Sequence, residues 1–145
     1  MLSYLFMQPY EIVGHTADIG VKAYGRTREE LFAHMAEGMF SLIVPPAEVL
    51  PQREVSVQAE GEGDDRLLVA WLRELLYLFD TQHFLINSFR IRRLEPNRIQ
   101  AVVSGEPLDE ARHHPDKEVK AVTYCDLTVG KSPDGTWSAQ VIFDI

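Results

Sequence analysis

A chain of 145 residues, 46% apolar and 25% charged, has the make-up of an ordinary globular domain rather than a disordered, collagen-like or membrane-spanning one. At this length folding removes roughly 68–70% of the unfolded surface from water, enough for one core without disulfide or metal staples. The formal charge of −8 gives no electrostatic footprint for a phosphate backbone, so no stable direct nucleic-acid binding is expected.

The first seven residues are apolar but lack a basic start, a long apolar centre and a small-residue cleavage site. No apolar run elsewhere could cross a bilayer. The single cysteine, Cys125, forms no internal disulfide. A cytoplasmic, single-domain protein over residues 1–145 is expected, with residues 1–7 a disordered N-terminal extension and Met7 an alternative start.

The first elements are strands over residues 10–13 and 19–24, joined by His15-Thr-Ala-Asp18-Ile-Gly20. Residue choice in that connection exceeds what packing requires, and the residues alone leave open whether they order the loop through backbone bonds or carry chemistry. Thr27-Arg-Glu-Glu30 reads as a capping box. The helix it opens sets Leu31, Phe32, Met35, Ala36, Met39, Phe40 and Ile43 on one face and ends at Pro45-Pro46.

Val55, Val57 and Ala59 alternate with polar residues as a half-buried strand does. A second helix follows Gly61-Glu-Gly-Asp-Asp65, where either aspartate could cap it. Leu67, Leu68, Trp71, Leu72, Leu75, Leu76 and Phe79 form its apolar face, which assigns Trp71 to the core.

Ile99, Ala101 and Val103 continue the strand pattern. The polar stretch 105–117, with His113 and His114, is long enough for a mobile functional flap; adjacent histidines on an extended chain point to opposite faces, so a solvated loop is expected there. Residues 119–129 and 137–143 then flank Lys131-Ser-Pro-Asp-Gly135, whose Asp-Gly marks a hairpin. Within the first of these strands Lys120, Val122 and Tyr124 would share a face, and Cys125 would be buried and inert. The order β-β-α-β-α-β-β-β-β predicts an α+β fold with two helices on a largely antiparallel sheet.

Three groups of residues can carry chemistry. Asp144 stands one residue from the carboxylate of Ile145, and if the last strand lies beside the N-terminal hairpin, Asp18 joins them. Converging anionic oxygens suit Mg²⁺, Mn²⁺ or Ca²⁺, whereas a frayed terminus with a solvated aspartate is the plain alternative. Lys120 could meet a phosphate or carboxylate, or could simply protect a sheet edge. No P-loop, dinucleotide fingerprint, His-Glu-x-x-His helix or serine elbow occurs.

Taken together, Tyr10-Glu11, His15-Thr-Ala-Asp18-Ile-Gly20, the two helices, Gly105-Glu106, Lys120-Ala-Val-Thr-Tyr124 and terminal Asp144-Ile145 resemble the archease family over nearly the whole chain. That resemblance implies a divalent metal held by Asp18, Asp144 and Ile145, with Lys120 functional and His15 beside the metal end. It also implies the role of accessory protein rather than enzyme. Archeases serve RtcB-type RNA ligases in tRNA splicing and RNA repair, promoting guanylylation of the ligase and its repeated turnover. Archeases commonly carry histidine where this chain has Cys125, which is therefore left out of the metal set. Two other functions compete: a stand-alone metal-dependent phosphodiesterase, which would need more acid–base groups than are visible, and a general chaperone or modulator of RNA-processing proteins, which would need a large exposed apolar patch.

Overall fold

The computed structural model describes residues 8–14 and 17–145, so residues 1–7 and His15 lie outside the description. Its strands are β1 (Tyr10–Gly14), β2 (Asp18–Gly25), β3 (Arg53–Glu60), β4 (Phe84–Leu94), β5 (Arg98–Pro107), β6 (Ala121–Val122), β7 (Thr128–Lys131) and β8 (Trp137–Asp144). Helix α1 (Arg28–Ser41) follows β2, and α2 (Gly63–Gln82) follows β3. The α+β class holds. The strands, however, divide between two antiparallel sheets, β1-β2-β8-β6 with β7 also beside β8, and β3-β5-β4.

Helix α1 begins as its sequence predicts. Thr27 is extended (φ −132°), its hydroxyl accepts from the Glu30 amide at 3.1 Å, and the Glu30 carboxylate accepts in return from the Arg26 amide at 3.0 Å. Helix α2 starts differently. Glu62 precedes it with no side-chain cap, and Asp64 and Asp65 fall in the first turn, where they still complement the helix dipole. Asp64 instead receives Arg28 at 2.6 Å, tying together the starts of the two helices. At the far end His83 adopts the left-handed conformation (φ 53°) and donates its amide to Phe79 at 2.7 Å.

The apolar stripes predicted for both helices are buried against the sheets. Leu31, Phe32, Met35, Leu67, Leu68, Trp71, Leu72 and Leu75 are fully enclosed, each contributing roughly 1.5–3 kcal/mol by leaving water. Trp71 satisfies its one polar atom by donating Nε1–H to the Phe32 carbonyl at 3.0 Å, so it joins helix to helix as well as filling space. Helix α1 rests on β2 and β4 and thus bridges the two sheets.

Gly38 and Gly105 stand where a neighbouring element comes too close for a side chain. A Cβ on Gly38 of α1 would lie 2.6 Å from the Val21 side chain, and one on Gly105 of β5 would lie 1.7 Å from the Leu85 carbonyl oxygen beside a β4 bulge.

The strand expected over residues 119–129 is interrupted. After β6 the Thr123 hydroxyl donates to the Ile142 carbonyl at 2.9 Å and accepts from the Cys125 amide at 3.2 Å, and Asp126 turns through the left-handed region (φ 49°) before β7 begins. Cys125 is therefore exposed on a turn, not buried. Val122 is buried whereas Lys120 and Tyr124 are exposed, so the three do not line one strand face. The hairpin between β7 and β8 forms at Asp134-Gly135 as predicted, with Gly135 at φ 91°.

Candidate functional site

Antiparallel pairing of β2 with β8 brings the two predicted carboxylates together. Asp18 opens β2, Asp144 closes β8, and the two are register partners. Residues directly opposite in such a pair share a face, with Cβ atoms about 4.5–5.5 Å apart. Ile19, Val21, Val141 and Phe143 take the core face, which turns Asp18 and Asp144 outward, the former partly and the latter largely exposed. The pairing extends beyond the strand, because the Ile145 amide approaches the Ala17 carbonyl at 3.5 Å.

Strand β6 flanks Asp144 on its other side. Ala121 is the register partner of Asp144, and the Lys120 amide donates to the Asp144 carbonyl at 2.8 Å. Lys120 is thus held at the same sheet end as the carboxylates. Slightly further along, Arg73 of α2 donates to the Val122 carbonyl at 3.1 Å and stacks its guanidinium 5.0 Å from the centre of the exposed Tyr124 ring. That contact fixes the turn following Lys120.

Two like charges facing each other across strands oppose folding, so packing alone gives no reason for the Asp18–Asp144 pair. The donor set is chemically suited to a hard cation, being made of carboxylate oxygens at a solvent-facing strand end. Among the described residues no three His, Cys, Asp or Glu side chains gather as they would around a metal ion. Any ion bound there would need further oxygens from Ile145, the main chain, water or a partner. His15, expected beside this end, lies outside the described residues.

A second cluster escaped the sequence reading. His113, expected in a solvated loop, is buried, and so is Glu106 at the end of β5. The Glu106 carboxylate accepts from the Leu50 amide at 2.6 Å, from His113 Nε2–H at 3.1 Å and from the Arg112 guanidinium. His113 Nδ1 accepts from the Asp109 amide at 2.9 Å, which fixes the neutral tautomer with hydrogen on Nε2. Burial would raise the Glu106 pKa, but the Leu50, Arg112 and His113 donors together hold it below the usual carboxylate value.

The loop after β5 is further tied to the end of α1, since the Asp116 and Lys117 amides donate to the Ile43 and Leu42 carbonyls at 2.8 and 3.1 Å. It is a strap pinned by the buried His113, although most of its other side chains are solvated as expected. The only local hint was an acidic residue beside the Gly105 that must pack closely, and nothing in the spacing joined it to His113.

These features define a class: small α+β proteins of two antiparallel sheets that present a carboxylate pair and a neighbouring lysine at one strand end. Residues 10–145 match the model of the Archease protein family (MTH1598/TM1083). Protein archease of Thermococcus gammatolerans is 40% identical over 142 residues, covering 96% of this chain and 100% of the relative. That of Pyrococcus furiosus is 37% identical with the same coverage, and that of Methanosarcina acetivorans 39% identical over 140 residues, covering 94% of this chain and 95% of its own. The solution structure of Methanobacterium thermoautotrophicum Protein 1598 superposes with a TM-score of 0.84 at 33% identity, over 96% of this chain and 100% of the other. The chain belongs to the archease family.

Proposed function

We propose that this chain is an accessory protein of an RtcB-type RNA ligase, promoting the metal-dependent guanylylation of the ligase and its repeated turnover in tRNA splicing or RNA repair. Family membership supports the general role, and the facing of Asp18 and Asp144 across β2 and β8, with Lys120 beside them, is the observation that carries it. A divalent cation, Ca²⁺, Mg²⁺ or Mn²⁺, would supply charge neutralisation for phosphoryl transfer at this end.

The chain's own residues do the positioning. Asp18 and Asp144 offer oxygens from a rigid sheet, Ile145 extends the same strand end, and His15 belongs to the connection leading into Asp18. Lys120 contributes an ammonium that can meet a nucleotide phosphate or a carboxylate of the ligase. In this reading these groups act on the ligase's own chemistry rather than on a substrate of their own. No helix among the described residues is long and apolar enough to cross a membrane.

The test mixes this protein with the RNA ligase of the same host, GTP and Mn²⁺, and follows covalent attachment of GMP. Asp144→Ala is expected to abolish stimulation while keeping the native circular dichroism spectrum. Thermal shifts in Ca²⁺ or Mn²⁺, seen for the unaltered chain and lost in the variant, give a readout independent of the ligase. Full stimulation by Asp144→Ala would refute the assignment.

A further inference from the structure

The outer face of the β3-β5-β4 sheet carries a charge opposite in sign to that of the whole chain. Ile91 pairs with Ala101 on the core side, but a bulge follows and Arg93 pairs with Gln100 on the outer side. Arg92, within the bulge, lines a shallow depression of about 450 Å³ together with the outer-face residues Ser56, Gln58, Gln100 and Val102. Strict alternation would send two consecutive arginines to opposite faces, and the bulge turns both to one. Arg90, opposite Val102, and Arg98, opposite Glu60, stand on the same face.

Against these four arginines the face sets Glu54, paired with Arg90 at 2.8 Å, and Glu60. A surplus of two positive charges thus sits on a chain of formal charge −8. The guanidinium groups of Arg92 and Arg93 have no hydrogen-bond or ion-pair partner among the described residues. The Nε of Arg98 is enclosed with no acceptor, although its Nη2 reaches Gln58 at 3.3 Å. The exposed forks of Arg92 and Arg93 are thus occupied by no acceptor of this chain and are open to one from outside it.

We propose that this face docks an acidic segment of a protein partner, whose carboxylates are received by Arg92, Arg93 and Arg98. Guanidinium forks match carboxylates in geometry as well as charge. RNA fits less well, because the depression is lined by no aromatic ring on which bases could stack, and the negative field of the rest of the chain opposes a dense polyanion. The face also turns the molecule: a partner with an acidic segment is steered to this sheet and away from the carboxylate end. In assigning that segment to the RNA ligase the inference rests on the function proposed above, whereas the charge argument stands apart from it.

The test titrates the isotopically labelled full chain with a short Glu/Asp-rich peptide and, separately, with an oligouridylate, following amide resonances by NMR. The peptide should shift Gln58, Arg92, Arg93 and Gln100. The double variant Arg92→Glu/Arg93→Glu should bind it about tenfold more weakly and with a flatter salt dependence. Arg92→Gln/Arg93→Gln, a milder change, should show the same direction if charge reversal disturbs folding.

Absence of shifts on this face, equal peptide affinity in both variants, or tighter binding of the oligouridylate would overturn the proposal. In parallel, the variants should lose affinity for the ligase, and undiminished ligase binding would overturn the assignment of the segment to it. If the unaltered chain does not bind the ligase at all, the proposed function fails while the peptide titration still decides the surface.

Discussion

Replacing Glu106 with alanine removes the acceptor on which the strap after β5 converges. Its carboxylate is enclosed and holds the Leu50 amide, His113 Nε2–H and the Arg112 guanidinium. Loss of one partner from a buried charged cluster costs about 3–5 kcal/mol, and an orphaned buried amide alone about 1–3 kcal/mol. His113 keeps the Glu48 carbonyl at 3.1 Å as a second acceptor, and Arg112 is half-exposed and can turn to water. The low end of these ranges therefore applies, about 2–3 kcal/mol. In a domain near this size that lowers Tm by roughly 8–12 °C.

The same carboxylate makes stability depend on pH, with a definite sign. Its folded pKa lies below the unfolded value of about 4.3, so the folded state favours the ionised form. The contribution is complete above the unfolded value and is lost as pH falls through the folded one. Glu106→Gln keeps the shape and an acceptor but cannot titrate. Urea unfolding from neutral to acid pH should show the unaltered protein losing its margin over Glu106→Gln as acid is added. Parallel stability curves for the two, or a loss below about 0.5 kcal/mol in Glu106→Ala, would refute the reasoning.

Gly105→Ala places a methyl group against the Leu85 carbonyl, so two strands must move apart; a loss of about 3 kcal/mol or more, or failure to fold, is expected from denaturation curves. Thr27→Ala should cost about 1 kcal/mol, since one amide at the start of α1 loses its acceptor, and Thr27→Ser should recover most of it. Tyr24, whose hydroxyl donates to Glu11 at 2.6 Å, has its pKa pushed up to about 12 by that bond and, to a smaller extent, by burial and the Glu11 charge. Its protonated form is favoured in the folded state, and the benefit disappears as pH rises through the folded value. Ultraviolet titration should show Glu11→Gln returning one tyrosine toward 10, and an unchanged titration would contradict the assignment.

What the sequence made legible follows from how local each signal is. Thr27 and Glu30 lie within one helical turn, and Asp134-Gly135 is a turn in itself, so both were readable and both occur. The closeness of Asp18 and Asp144 depends on the last strand lying beside the first hairpin, a condition the register meets. The division into two sheets was not readable, because period-two alternation tells which residues face a core but not which strands share a ladder. The break after β6 hides in apolar-rich sequence, since the turn depends on Thr123 bonding Ile142 across the sheet. His113 was misplaced for a similar reason: its acceptors, Glu106 and the Glu48 carbonyl, come from other parts of the chain.

Strand β8 lies inside its sheet, with β2 along one edge and β6 and β7 sharing the other. The β3-β5-β4 sheet can therefore close on its own, while β2 keeps one edge open until β8 docks on it. Until it docks, Asp18 and Asp144 do not face each other. The acidic end is thus assembled only when β8 has closed its sheet, and whatever loosens β8 disperses it.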